Sequence, residues 1–329
     1  MYKLSICIPT YNRAKYLKEN LAFLLPQIKN KDNVEVVVIN NDSEDNTNEV
    51  VEEYVQKHKN IRYYKNPTNL GYSGNQLKCF EYAQGEYCAI LSDDDVYLDG
   101  AVELILKHIY EKEYVFLALN YCGFIKNPLQ PYKSNFAPKR DVIFNRAYDI
   151  MNYPSVGHFS GFIFNSKIAR ETLKDILNKR PIEYYEKYRG IITDLAVRMT
   201  TSSNLPSCFI GEIRLANRYP DRIDYDMINH QCIDYYEYYK NLYDEGIINK
   251  SDLKYREKLV LSLLPRAIFR DIPYMSKNDI NIAIKKLRFL FEYKLKFFFI
   301  SLPLLNLSRI KLLRYLYLYI YKLKHIIIE

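Results

Sequence analysis

Val34-Glu35-Val36-Val37-Val38-Ile39-Asn40-Asn41-Asp42-Ser43-Glu44-Asp45 decides how the first half of the chain is read. Its first six residues form a near-continuous β-branched run, the pattern of a parallel strand covered on both faces. A polar cluster follows at once. Upstream, Leu4-Ser5-Ile6-Cys7-Ile8 reads as another strand, and Leu17, Leu21, Leu24 and Ile28 recur between the two at helical spacing. Downstream, Val50, Val51, Tyr54 and Val55 mark a helix, with Ser43 or Asp45 available as its N-cap. Ile61 to Tyr64 reads as a short strand, Leu77, Phe80 and Ala83 as a helix, and Tyr87 to Leu91 as a strand. Val102, Ile105 and Ile109 mark the next helix, and Tyr114 to Asn120 the next strand. Strands alternating with single helices imply right-handed crossovers and a doubly wound α/β sheet. Ligands on such sheets bind beyond the carboxyl ends of the strands. Three polar clusters fall there: Pro9 to Arg13, Asn40 to Asp45, and Ser92 to Asp95.

Beyond about residue 125 the pattern loosens. Gly161-Phe162-Ile163-Phe164 and Cys208-Phe209-Ile210 read as strands, and Leu195 to Met199 as the start of a helix. Past Asp221 the chain reads as helical and rich in Tyr, so a catalytic-type domain over 1–220 and a helical region over 221–329 are expected. The 48% apolar and 26% charged composition is that of a folded protein and excludes a disordered chain. Six cysteines, with no CxxC and no accompanying His cluster, imply reduced thiols in a cytosolic protein. The apolar run Leu4 to Ile8 is too short for a secretory signal.

The net charge of +8 is concentrated. Ten Lys and Arg lie from Ile280 onward, against Glu292 and Glu329, so the tail carries all of it. The tail mixes this charge with Phe, Leu, Ile and Tyr. It reads either as an interfacial membrane-binding segment over 280–329 or as a helical subdomain with solvated charges. Its longest uncharged run, Phe297 to Ser308, is too short to span a bilayer. No nucleic-acid-binding module accompanies the charge, so nucleic acid is not an expected partner.

Three adjacent carboxylates, Asp93, Asp94 and Asp95, repel one another unless they are solvated or neutralised by a cation. Hard divalent metals take such oxygens and share them with phosphates. A solvated acidic turn ahead of the next helix is the plainer reading. The order Pro9-Thr10-Tyr11-Asn12-Arg13, Asn40-Asn41-Asp42-Ser43, Asn69-Leu70-Gly71, Asn75, Gly85-Glu86-Tyr87 and Ser92-Asp93-Asp94-Asp95 resembles the family 2 glycosyltransferases of the GT-A fold. The resemblance runs over about residues 3 to 215. It implies a Rossmann-like, mostly parallel sheet between helices with a C-terminal helical extension. It also implies an inverting transferase that uses a nucleotide-diphosphate sugar and Mn²⁺ or Mg²⁺.

On that resemblance Asp94 is the direct metal ligand, Asp95 a second one, and Asp93 lies nearer the ribose. Ser92 stands where many relatives begin the aspartate motif. Pro9, Thr10, Tyr11 and Arg13 match the first nucleotide-contacting loop. Asn69, Gly71 and Asn75 match the loop flanking the nucleotide. Asn40 and Asn41 stand where relatives often carry Asp-Asp facing the base, and an amide both donates and accepts. In Ile191-Ile192-Thr193-Asp194-Leu195, Asp194 matches the general base, with Thr193 in place of the usual Glu. The bland reading of Asp194 is a helix N-cap. His158, in Val156-Gly157-His158-Phe159-Ser160-Gly161, matches the acceptor-side loop, and Arg218, Asp221 and Arg222 lie where a loop would close on the donor. The expected acceptor is a lipid-linked, lipopolysaccharide or capsule glycan, met on the cytoplasmic face of the inner membrane of a bacterium. The alternative is a non-catalytic nucleotide- or glycan-binding protein of the same fold, recruited to membrane by its basic tail.

Overall fold

The computed structural model describes residues 2–219, apart from 132, 135, 136, 155, 157 and 189, and residues 232–271. Gly157, Asp221, Arg222 and the 280–329 tail therefore lie outside the described residues. The chain divides into two compact units, Met1–Asp221 and Arg222–Glu329.

In the first unit, β1 (Leu4–Thr10), α1 (Ala14–Ile28), β2 (Val34–Asn40), α2 (Thr47–Val55), β3 (Ile61–Lys65), α3 (Gly71–Tyr82) and β4 (Tyr87–Ile90) follow in turn. Then come β5 (Val96–Tyr97), α4 (Ala101–Glu111), β6 (Phe116–Phe124), β7 (Lys133–Ser134) and β8 (Val142–Phe144). The unit ends with β9 (Phe162–Asn165), α5 (Ser166–Lys179), α6 (Ile182–Tyr188), α7 (Ile191–Ser202) and β10 (Ser207–Arg218). One mixed sheet runs β3-β2-β1-β4-β9-β6-β10-β5, with β7 beside β6 and β8 beside β10. Strands β3, β2, β1 and β4 are mutually parallel, as are β6 and β10. The antiparallel β9 joins the two parallel groups, pairing with both β4 and β6. This is the α/β sheet of the GT-A fold.

Both faces of the central strands are covered, which explains their unbroken apolar runs. Leu4, Ile6, Ile8, Val34, Val36 and Val38 pack with Leu17, Leu21, Leu24 and Ile28 of α1 in the main core. Each such side chain contributes about 1.5–3 kcal/mol by leaving water. Glu35 is the polar exception inside β2. Its buried carboxylate accepts from Ser5 Oγ (2.5 Å), the Gln84 N–H (2.7 Å) and Arg62 (2.8 Å), so it is fully compensated. Gly85 lets the entry to β4 approach β1, since a Cβ there would lie 2.5 Å from the Ser5 nitrogen.

The N-cap position of α2 is Asn46, and Asp45 beside it serves two helices: its Oδ1 accepts from the Thr47 N–H that opens α2 (3.1 Å) and its Oδ2 from the Ala14 N–H that opens α1 (3.0 Å), while Ser43 Oγ accepts from the Asn12 N–H (2.9 Å). The loop after β2 thereby fixes the loop after β1. The second unit contains α8 (Tyr235–Asp244) and α9 (Lys250–Asp271), with Tyr239, Leu242, Val260 and Leu264 buried. Gly246, in the left-handed region, ends α8. Among the described residues no helix is long and apolar enough to cross a membrane.

Candidate functional site

The carboxyl ends of β1, β2 and β4 open onto a cleft of about 330 Å³. Pro9, Thr10, Tyr11, Arg13, Asn41, Asn69, Gly71, Asn75 and Asp93 line it, together with Tyr72, Gln76, Ser92 and Phe159. The loops expected to contact a nucleotide thus meet in one place. Asn40 is fully buried and does not line it.

Charge gathers at the end of β4. Asp93 accepts from the Thr10 hydroxyl (2.7 Å) and from Arg13 (3.2 Å), and the same Arg13 nitrogen reaches Asp94 (2.8 Å). Ser92 Oγ also donates to Asp94 (2.6 Å). Burial pushes the Asp93 carboxyl up to about 7, against the opposing pull of Arg13 and Thr10. Arg13 loses hydration here, but Asp93 and Asp94 outweigh that loss and raise its pKa. Asp94 stands beside the lining with a quarter of its side chain exposed.

Asp95 faces the other way, and the expectation that it is a second metal ligand is corrected. It has no exposed surface. Its carboxylate accepts from His158 (2.6 Å), Ser160 Oγ (2.5 Å), Asn217 Nδ2 (2.9 Å) and the Arg218 N–H (2.9 Å). Burial works against its charge, yet His158, Ser160 and Arg218 hold it below the usual carboxylate range. Four donors leave no lone pair directed at a ligand. The Nε2 of His158, the residue expected on the acceptor side, is engaged in this pairing. Arg218, expected in a closing loop, is likewise committed. It donates to the Asp94 carbonyl (3.1 Å), pairs with Glu19, and stacks over Phe124 and Tyr16.

Asn40 and Asn41 are also corrected. Both amide hydrogens of Asn41 are used, on Asn69 Oδ1 (2.8 Å) and the Gly71 carbonyl (3.0 Å), and its oxygen accepts from Asn66 and the Leu70 N–H (both 2.9 Å). Asn40 donates to Asn48 and Tyr63 and accepts from the Ser43 N–H. These amides tie loops together: Asn41 has every donor and acceptor engaged, and Asn40 is buried away from the cleft.

Asp194 lies in the first turn of α7, fully buried, and the N-cap position is Gly190. It pairs with Arg198 (2.9 Å) and accepts from the Tyr185 hydroxyl (2.6 Å). It does not line the cleft. The next residue after Tyr185, Glu186, accepts from the N–H groups of Tyr72, Ser73 and Gly74 (3.0, 2.6 and 3.2 Å) and so caps α3 beside the cleft. Gly71 is required there, because its φ is +78° and a Cβ would lie 2.7 Å from Glu186 Cδ. Sequence reasoning missed Tyr72, Gln76 and Phe159. Only the helical spacing of Tyr72 and Gln76, which puts both on one face, was there to find them.

A family model described as "Glycosyl transferase family 2" matches residues 5–172, just over half the chain. The chain belongs to glycosyl transferase family 2. This family 2 chain is 35% identical over 108 residues to an uncharacterized glycosyltransferase of Mycoplasma pneumoniae, covering 32% of this chain and 36% of that one. It is 31% identical over 115 residues to an abequosyltransferase of Salmonella typhimurium, covering 35% and 34%. A minor teichoic acid biosynthesis protein of Bacillus subtilis matches at 31% over 110 residues, 33% of this chain and 12% of that one. The matched stretches thus span less than half the length of these relatives. Among solved structures, S. aureus TarS in complex with UDP-GlcNAc superposes with a TM-score of 0.63 at 18% identity, covering 93% of this chain and 87% of that one. A Pyrobaculum calidifontis mannosyltransferase in complex with GDP-Man and Mn²⁺ gives 0.53 at 14% identity, covering 93% and 85%. Both likenesses concern the fold.

Proposed function

We propose that this family 2 chain binds a nucleotide-diphosphate sugar in the cleft and transfers the sugar, with inversion, to a hydroxyl of a lipid-linked, lipopolysaccharide or capsule glycan. One observation carries the reading: Thr10, Arg13 and Asp93 converge at the carboxyl ends of β1 and β4, in a cleft shared with Asn69 and Gly71. The Salmonella and Bacillus relatives, named for abequosyl transfer and teichoic acid biosynthesis, support a bacterial surface glycan as the acceptor class. The bound nucleotide sugars of the two structural neighbours support the donor class.

The acidic end of the cleft fits a hard divalent cation such as Mn²⁺ or Mg²⁺. Asp93 and Asp94 already gather around one positive charge, the Arg13 guanidinium. Among the described residues no three His, Cys, Asp or Glu side chains form a metal site. Two carboxylates with phosphate and water oxygens are nevertheless an ordinary Mg²⁺ donor set. Asp94, with Asp93 behind it, would hold the ion, which when bound stabilises charge on the departing diphosphate. Arg13 neutralises the same region, Thr10 orients Asp93, and Tyr11 and Tyr72 flank the cleft with their rings.

In the transfer, an acceptor oxygen bonds to the anomeric carbon as the bond to the diphosphate oxygen breaks, and the acceptor proton passes to a carboxylate. Asp194 is the proposed base, a role that requires the Tyr185 hydroxyl to release it. The commitment of Asp194 to Arg198 and Tyr185 also favours a second reading, a non-catalytic nucleotide- or glycan-binding protein of the same fold. Asp194→Asn decides between them: transfer falling by roughly 10²–10⁴ with donor binding retained supports the enzyme, whereas unchanged transfer removes Asp194 as base. Nucleotide-sugar turnover assayed with Mn²⁺, with Mg²⁺ and with chelator tests the metal, and activity undiminished by chelation refutes it. We place the protein on the cytoplasmic face of the inner membrane, held by the basic 280–329 segment. Co-sedimentation with anionic vesicles, equal for the full chain and for a chain ending at residue 279, would refute that attachment.

A further inference from the structure

The start of α3 forms one lip of the cleft, where Gly71 and Tyr72 line it. Two parts of the chain hold this lip. From the end of β2, Asn41 donates to Asn69 Oδ1 and the Gly71 carbonyl and accepts from the Leu70 N–H. From α6, Glu186 takes the next three N–H groups: Oε2 accepts from Tyr72, and Oε1 from Ser73 and Gly74. A helix start is ordinarily capped by a polar side chain next to it in sequence. Leu70, at the N-cap position of α3, cannot do this, and no acidic residue stands in the first turn. The cap arrives instead from 112 to 114 residues downstream. A carboxylate beside a cleft for an anionic ligand would repel that ligand. Its three backbone partners account for its presence there.

Helix α6 has a second attachment. Successive helical residues point about 100° apart, so Tyr185 and Glu186 reach different neighbours. Tyr185 is buried and donates to Asp194 Oδ2 in α7 (2.6 Å), while Arg198 Nε holds Asp194 Oδ1 (2.9 Å). Burial and the Asp194 charge push the Tyr185 phenol up, so it remains the donor of this pair. Two adjacent residues of a seven-residue helix thus join the lip of the cleft to the buried carboxylate of α7. A shift of α6 alters both contacts together.

We propose that Glu186 is a positioning residue for donor binding: it fixes the first turn of α3, where Gly71 and Tyr72 meet the nucleotide-diphosphate sugar, and through Tyr185 it ties that turn to Asp194. This rests on the reading of the cleft as a nucleotide-sugar site. Without the cap the turn frays and a ligand must order it on binding, so apparent affinity falls with the fraction of chains still ordered. The test uses the full chain. Calorimetric titration with UDP-GlcNAc, GDP-mannose and dTDP-glucose in Mn²⁺ reads affinity, and hydrogen exchange of the ligand-free protein reads the Tyr72, Ser73 and Gly74 amides. For a nucleotide sugar bound by the wild type, Glu186→Ala should weaken binding roughly three- to thirtyfold and speed exchange at the three amides by a similar factor. Glu186→Gln keeps one acceptor oxygen, able to serve Ser73 and Gly74, and should recover most of both losses. Tyr185→Phe removes only the hydroxyl that Asp194 holds, and should speed exchange at the same amides about threefold or more. A Glu186→Ala protein that melts lower but binds like the wild type makes Glu186 a structural cap alone; this overturns the assignment and leaves the donor site standing. Tighter binding by either Glu186 variant overturns it too, in favour of a carboxylate that repels the diphosphate. Unchanged exchange in Tyr185→Phe overturns the tie to Asp194. A wild type that binds none of the three nucleotide sugars overturns the donor site, and this assignment with it.

Discussion

At the end of β4 the chain divides its acidic residues between two environments. Asp93 lines an open cleft and Asp94 stands beside it, and there Thr10, Ser92 and one shared guanidinium supply their hydrogen bonds. Asp95 is sealed and receives four donors from two other segments. A carboxylate taken wholly out of water must find its full complement of partners in the protein. The sealed cluster is complete and holds the sheet together; the open one leaves room for more positive charge, as a ligand site should.

The sharpest way to break this contrast is Asp95→Ala. It leaves His158, Ser160 and Asn217 facing a void and should cost about 3–5 kcal/mol in chemical denaturation. Asp94→Ala should stay within about 1 kcal/mol of wild-type stability, since its ion pair with Arg13 is partly exposed. Its metal-dependent turnover of nucleotide sugar should nevertheless fall roughly a hundredfold or more. If Asp95→Ala proved as stable as Asp94→Ala, the division between clusters would be wrong. Asn41→Asp removes two donors from a saturated amide and should destabilise by about 1–3 kcal/mol, read as a lower denaturant midpoint. The smallest effect belongs to Ser160→Ala, about 1 kcal/mol. That variant should leave nucleotide affinity unchanged, and a marked loss of affinity would extend the open cluster to include Ser160.

Much of this was legible in the chain and some was not, for definite reasons. Strands β1, β2 and β4 announce themselves because both faces are buried and their positions are mostly apolar, with Ser5, Thr10, Glu35 and Asn40 as the polar exceptions. Strand β10 was foreseen only over Cys208 to Ile210, because its second half, Glu212 to Arg218, carries charges that a burial pattern does not reveal. Strands β5, β7 and β8 span two or three residues, too few to show any period. At the site, Pro9 to Arg13 and Asp93 meet as their positions after strands imply. Asp94 and Asp95 cannot be told apart from sequence, since what separates them is Ser160 and Asn217, brought in by β9 and β10. The saturation of Asn40 and Asn41 depends in the same way on Asn48, Tyr63, Asn66 and Asn69.

The six cysteines bear on how these ideas are measured. None forms a disulfide and all are buried, including Cys7 and Cys88, whose sulfurs lie 3.8 Å apart between β1 and β4. Burial raises the Cys7 thiol pKa, and the hydrogen bond to Cys7 together with burial raises that of Cys88, so neither readily forms the thiolate that alkylating dyes attack. A single cysteine introduced at the exposed rim position Tyr72 would then be the preferred handle for a maleimide fluorophore. Its emission would report arrival at the cleft directly, with the native cysteines left in place.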